Sequence, residues 1–304
     1  PRARRQIHSA RPVSTPAAPS HNNLCSNRKS TVSSGLKLLA LLAHPDDESL
    51  GFGGTLAKYA AEGVEVYLVT ATRGERGRFG IPGRTAGPAE VGRVREQELR
   101  AAAAVLGIRE VCLLGYPDGA VDQVDATAAI QAIVAHIRRI RPQVVVTFGP
   151  EGAYGHPDHI AICQFATAAA VCAADAAYRG GGNPGEPLLP HRAAKLYYMA
   201  WRKDKWDAYR AAFRKLTSTV DGIQRQATPW PDWAVTTEIE TSAFWPVVWR
   251  AVRCHQTQLS IYERLEHLSE EHHRALWGSQ EFYRVYSAVN GKRKLETDLF
   301  EGLR

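Results

Sequence analysis

From residue 36 onward the chain alternates short apolar runs with longer stretches in which apolar residues recur every three or four positions. The runs at 36–43 (LKLLALLA), 64–70, 111–116, 144–148 and 195–201 predict buried strands. The stretches at 55–62, 89–106, 126–140 and 160–177 predict helices. Gly63 and Gly107 stand where a left-handed turn closes a helix, and Arg141-Pro142 stops another. Residues 73–88 (RGERGRFGIPGRTAGP) hold five glycines and two prolines and predict a long mobile loop, and 180–190 predicts a second loop. Past 201 the pattern loosens into helices at 203–216, 244–259 and 267–288 with a short strand at 234–240.

Strands that alternate with helices of this length build parallel βαβ units with right-handed crossovers. The expected fold is therefore α/β, a Rossmann-like, doubly wound, mostly parallel sheet with helices on both faces. No linker separates the last third, so it should add elements to the same body, making 35–304 a single domain. In such sheets ligands bind beyond the carboxyl ends of the strands, where the strand order reverses. The segments after Ala43 and Phe148 are the ones that matter.

Both are loaded with imidazoles and carboxylates: His44-Pro45-Asp46-Asp47-Glu48 after the first strand and Tyr154-Gly155-His156-Pro157-Asp158-His159 after the fourth. Catalytic zinc takes three His or carboxylate ligands and leaves a place for water. His44 and Asp47, three apart on a turn, can supply two ligands and His159 the third. Asp46 is then left as a carboxylate able to take a proton from the water. His156 can act as an imidazolium facing oxyanion charge, with Asp158 orienting its ring and Tyr154 donating a further hydrogen bond. The bland alternative is an Asp-rich turn capping a helix, which loses its appeal once both switch-point segments carry such motifs.

AHPDDE after a first strand together with HPDH after a later one resembles the LmbE-like (PIG-L) family of zinc-dependent N-deacetylases. ATRGERG at 71–77 and RAVRCHQTQ at 250–258 also match family segments, so the resemblance spans 36–290. It implies Zn²⁺ on His44, Asp47 and His159, with Asp46 as general base and His156, Asp158 and Tyr154 assisting. Arg73 would contact sugar hydroxyls, and Glu48 and Asp118 would line the same pocket. An N-acetylglucosamine-type substrate is likewise implied. Fe²⁺ or Mn²⁺ can occupy such ligands. A thiol-conjugate amidase with different pocket walls is the alternative enzyme. A non-catalytic sugar- or nucleotide-binding module is the other alternative, and the unligated Asp46 argues against it.

Composition trims this picture. The net charge of +7 suggests a nucleic-acid partner, yet residues 1–34 carry Arg2, Arg4, Arg5, Arg11, Arg28 and Lys29 and no acid. The remaining body is nearly neutral and offers no footprint for a phosphate backbone. That tail, rich in Ser and Pro, cannot bury enough surface to order itself and is expected to be disordered. Its lack of acids resembles a transit peptide, but a foreign or mis-started extension is the preferred reading. No run of apolar residues is long enough to span a membrane. The five cysteines lack CxxC spacing, which fits a reducing cytoplasm better than a disulfide framework. Self-association into a homo-oligomer is compatible with the sequence and not required by it.

Four other features take structural readings. Gly51-Phe52-Gly53-Gly54 opens a helix after the first strand, but its spacing is not that of a dinucleotide fingerprint, and close helix packing is expected. Trp230, Trp233, Trp245 and Trp249 read as core or interface. The charges at 266–273 read as a solvated face. His255 is either packed or in the pocket.

Overall fold

The computed structural model describes residues 35–81, 83–179, 182–183, 186–213, 217–220, 222–226, 228–289 and 294–304. The disordered-tail reading of 1–34 lies outside the described residues. Strands β1 (Lys37–Leu42), β2 (Glu65–Thr70), β3 (Glu110–Leu113) and β4 (Val144–Thr147) come first. Two-residue strands β5 (Gly182–Asn183) and β6 (Glu186–Pro187) then pair with each other inside the second expected loop. After β7 (Lys195–Met199), β8 (Ser218–Val220) and β9 (Ile223–Arg225) form a further small hairpin, before β10 (Thr237–Glu240) and β11 (Ser279–Ser287).

The main sheet has seven strands in the order β10-β11-β7-β4-β1-β2-β3. From β7 to β3 it is parallel, and β11 runs antiparallel between β7 and β10. It is thus the expected mostly parallel α/β sheet. β1 is central because Leu38 to Leu42 are fully buried. A strand covered on both faces has to read as continuous hydrophobics, and each such Leu stabilises the fold by roughly 1.5–3 kcal/mol.

The helices are α1 (Asp47–Leu50), α2 (Gly53–Ala61), α3 (Pro88–Leu106), α4 (Ala126–Ile140), α5 (Gly152–Gly155) and α6 (Pro157–Cys172), followed by α7 (Lys203–Ala212), α8 (Trp245–Val252), α9 (Leu259–Glu266) and α10 (Glu270–Trp277). α4 packs on α6, while α8 packs on α2 and α3. Their ends follow local chemistry. Asp125 caps α4 by accepting the Ala128 N–H at 2.7 Å. Pro88 opens α3, and Gly107 closes it at φ 77°. No helix among the described residues is long and apolar enough to cross a membrane.

Three expectations are corrected. The stretch 267–288 is not one helix: α10 stops at Gly278 and EFYRVYS continues as β11, where Phe282 pairs with Met199 and Thr237. Its period-two aromatic and β-branched residues are a strand signal, and the helical stripe before them obscured it. The stretch 244–259 is interrupted after α8 by a short 3₁₀ turn at Gln256–Gln258, and α9 begins only at Leu259. The face at 266–273 is only partly solvated. His273 is buried between Trp245, Trp249 and Trp277, with Nε2 2.8 Å from the Leu265 carbonyl oxygen.

The tryptophans divide as well. Trp245 and Trp249 pack against this second apolar cluster, whereas Trp233 is 86% exposed. The glycines of GFGG do serve close packing, since a Cβ on Gly54 would stand 2.8 Å from Cβ of Thr241. Gly54→Val should therefore cost about 1–3 kcal/mol of stability. Chemical denaturation with an unchanged midpoint would contradict this packing.

Candidate active site

β1 and β4 lie side by side, with Ala40 opposite Val146, so the segments leaving their carboxyl ends meet. His44 directs Nδ1 to Nε2 of His159 at 3.1 Å. The Asp47 carboxylate closes a triangle, with Oδ2 3.6 Å from His44 Nδ1 and Oδ1 3.4 Å from His159 Nε2. A tetrahedral divalent cation with bonds of about 2.0–2.1 Å needs donors about 3.3–3.4 Å apart, and these separations lie near that spacing, although each ring nitrogen faces a different Asp47 oxygen. Two imidazoles and a carboxylate are also a donor set that zinc accepts.

Each corner is held. Asp47 Oδ2 accepts the backbone N–H groups of His44 at 2.7 Å and Ala43 at 3.2 Å. The His159 ring stacks on Phe148, with centroids 3.9 Å apart and planes 8° from parallel. His44 Nε2 lies 3.0 Å from Asp158 Oδ2 and 3.2 Å from Asp118 Oδ1. A proton on Nε2 satisfies those carboxylates and leaves a lone pair on Nδ1, the arrangement by which a carboxylate fixes a ligating imidazole.

Across 3.1 Å the two ring nitrogens are joined either by the N–H of one ring donating to the lone pair of the other or by a cation shared between two lone pairs. Burial opposes charge on His44, but Asp118, Asp158 and Asp47 outweigh it and raise its pKa well above the ordinary imidazole range. Burial takes His159 down to about 3, so its ring is neutral. Burial would raise Asp47, yet His159 and His44 hold it well below the usual carboxylate range.

Two sets among the described residues offer one donor atom per residue with all three within 4.8 Å of one another: His44, His156 and His159, and His44, Asp118 and Asp158. The second set is committed elsewhere. Asp158 accepts the N–H groups of Gly119 at 2.7 Å and Val121 at 3.1 Å, and Asp118 Oδ2 accepts that of Arg76 at 2.9 Å. In the first set, His156 Nδ1 accepts the Asp158 backbone N–H at 3.2 Å and so caps α6. Its proton therefore sits on Nε2. This corrects two expectations. The Asp158 carboxylate orients His44, and only its backbone N–H meets the His156 ring. Burial and the charge of His44 lower the His156 pKa, so it is a neutral donor rather than an imidazolium.

Tyr154 stands edge-on to His159 at 5.3 Å and to His156 at 5.9 Å. Burial raises its pKa, and Asp47, Asp46 and Asp118 add to the effect, so the phenol keeps its proton. Asp46 is the strained member of the group, a non-glycine residue at φ 109°, ψ −25°. Such backbone costs of order 1–3 kcal/mol and persists only where neighbours enforce it. Here Glu48 Oε2 accepts the Asp46 N–H at 2.9 Å, while Asp46 Oδ2 receives Tyr262 Oη–H at 2.6 Å and Arg95 Nη2–H at 3.0 Å. Burial raises the Asp46 pKa, against the pull of Arg95.

Glu48 departs from the expected pocket. Glu48 is fully buried, and its other oxygen binds His255 Nε2 at 2.8 Å and Ser49 Oγ at 2.6 Å, so it braces the turn and has no face for a substrate. His255 is accordingly packed, not exposed to a ligand. Arg73 turns its Nε to Glu96 at 2.8 Å, beside a cavity of about 170 Å³ that Glu75, Gly92 and Tyr116 also line. The loop at 73–88, expected to be mobile, is tied to the chain before α9. Gly80 N–H donates to the Thr257 carbonyl at 2.9 Å and Gln258 Nε2 to that of Arg78 at 2.7 Å.

The profile of the PIG-L family, described as GlcNAc-PI de-N-acetylase, matches residues 39–170. The 1D-myo-inositol 2-acetamido-2-deoxy-alpha-D-glucopyranoside deacetylase of Streptomyces scabiei is 36% identical over 88% of this chain and 90% of its own length. The chain belongs to the PIG-L (LmbE-like) family of N-deacetylases. Among solved structures, a conserved protein of Thermus thermophilus superposes with a TM-score of 0.60, at 26% identity, covering 84% of this chain and 97% of that one. The N,N'-diacetylchitobiose deacetylase of Pyrococcus horikoshii shares the fold, with a TM-score of 0.58 at 18% identity, covering 82% of this chain and 83% of that one.

Arg95 and Tyr262 were not singled out from the sequence of this PIG-L member. Arg95 carried a signal: with Val91, Leu99 and Ala102 it occupies the buried face of α3, where a charge is rare unless it is paired. Tyr262 carried none. Titration with Zn²⁺ should show one tight site, and His159→Ala should weaken it by more than about the 100-fold seen when an outer partner is lost. Equal uptake by the variant would contradict the triangle.

Proposed function

We propose that this protein is a metal-dependent N-deacetylase that hydrolyses the acetamide of an N-acetylglucosaminyl conjugate, of the kind its named relatives act on. The observation that carries the reading is a strained carboxylate, Asp46, which feels the charge of its neighbour Asp47 and is held by Tyr262 and Arg95 without a hydrogen bond to His44, Asp47 or His159. We assign His44 Nδ1, Asp47 and His159 Nε2 as ligands of Zn²⁺, with Fe²⁺ or Mn²⁺ as chemically acceptable substitutes. When bound, the cation supplies Lewis-acid polarisation of the acetamide carbonyl and lowers the pKa of water to about 7.

The chain's own groups supply the proton traffic. Asp46 takes a proton from the attacking water as the water oxygen bonds to the carbonyl carbon. His156 Nε2–H and Tyr154 Oη–H stabilise the charge that develops on the carbonyl oxygen, which is worth most in a buried site. The C–N bond then breaks, Asp46 returns its proton to nitrogen, and the amine and acetate leave. The Asp158 carboxylate holds His44 through Nε2, and its backbone N–H holds His156 through Nδ1. Asp118 shares this contact at the edge of the site, where a sugar hydroxyl can meet it. Arg73 and the cavity beside it are one wall on which the rest of the conjugate can rest. The described cysteines Cys112, Cys163, Cys172 and Cys254 form no disulfide, which fits work in a reducing cytoplasm.

Acetate release from an N-acetylglucosaminyl-inositol tests the reading. Turnover should fall when a chelator removes the metal and return with Zn²⁺. Asp46→Asn, which tolerates the left-handed backbone, should keep metal and fold but lose about 10²–10⁴-fold in kcat. Parental turnover by the metal-loaded variant would exclude Asp46 as the base.

A further inference from the structure

The mechanism above uses one oxygen of Asp46 and leaves unexplained why the other is gripped twice. Tyr262 Oη at 2.6 Å and Arg95 Nη2 at 3.0 Å both donate to Oδ2. Oδ1 takes no hydrogen bond from any described residue. We propose that Arg95 and Tyr262 are positioning residues that fix the Asp46 carboxylate by Oδ2 and so turn Oδ1 toward the water it deprotonates. The inference rests on Asp46 being the base.

The grip is itself built in. Arg95 is 4% exposed and Tyr262 5%. Arg95 Nη2 also donates to the Pro45 carbonyl at 2.5 Å and Nη1 to that of Gly74 at 2.8 Å, so the guanidinium is fastened to the backbone on both sides of the carboxylate. Its seat is made by missing side chains. A Cβ on Gly74 would come within 2.2 Å of Nη1 and one on Gly77 within 2.3 Å. Tyr262, from α9, is steadied by an edge-to-face contact with Phe213, with centroids 6.0 Å apart. Neither residue hydrogen-bonds His44, Asp47 or His159. Preorganisation of this kind affects the reacting geometry and leaves metal and substrate binding alone.

The test measures kcat, KM, Zn²⁺ affinity by chelator competition and denaturation midpoint on the full chain. Tyr262→Phe should lower kcat by about 10- to 100-fold, with KM and Zn²⁺ affinity changed by less than about twofold. Gly77→Ala, which pushes the guanidinium from its seat, should show the same split, so the inference does not depend on folding of an Arg95 variant. In an Asp46→Asn background, Tyr262→Phe should cost nothing further, because residues that act as a unit are not additive. An inactive Asp46→Asn beside a fully active Tyr262→Phe would overturn the positioning role alone. Equal losses from Tyr262→Phe in both backgrounds, or loss of Zn²⁺ in step with kcat, would overturn it as well. Full turnover by Asp46→Asn would instead remove the base on which the inference rests.

Discussion

Two imidazole nitrogens 3.1 Å apart, with a carboxylate oxygen within 3.6 Å of each, are buried at the end of a hydrophobic sheet, where polar groups persist only if a shared proton or a cation compensates them. That constraint organises the rest. It explains why a central strand as apolar as KLLALL ends in HPDDE. It is consistent with Asp158, fully buried, being satisfied by two backbone N–H groups and a ring nitrogen. The sheet contributes rigidity, because the register of β1 with β4 sets the distance between the two ring-bearing segments.

Around the triangle lies a second layer whose purpose is orientation. Glu48 and His255, both fully buried, hold the Asp46 backbone in a conformation that a non-glycine residue rarely adopts. Arg95 and Tyr262 hold its side chain. Part of this layer comes from beyond the segment that the family profile matches, since His255 and Tyr262 lie past residue 170. The last third of the chain is therefore part of the site as well as cover for the sheet. Its anchoring is strong, for Glu296 is 1% exposed and binds Lys195 Nζ at 2.8 Å, Tyr197 Oη at 2.9 Å and Thr237 Oγ1 at 2.9 Å.

Much of this was legible in the residues. Strand and helix periods gave the parallel sheet, and the topology alone pointed to the segments after Ala43 and Phe148. Hard donors concentrated in those two places could be read as a metal site because few other arrangements compensate them. What escaped depends on distance. Glu48 belongs to the same motif as the expected ligands, and only its pairing with His255, 207 positions away, takes it out of the pocket. The orientation of Asp158 toward His44 instead of its near neighbour His156 is likewise a matter of tertiary geometry. β11 was hidden because its strand period begins directly after a helix, with only Gly278 between them.

The central claim is that this buried cluster of two imidazoles and a carboxylate is a metal centre of defined composition. Crystals of the Zn²⁺-loaded protein, with anomalous scattering collected on either side of the zinc edge, test it most directly. The account predicts a single strong peak about 2.0–2.2 Å from His44 Nδ1, His159 Nε2 and an Asp47 oxygen, with Asp46 outside bonding distance. A peak bound instead by Asp118 and Asp158 through His44 Nε2, or one that includes Asp46, would contradict it.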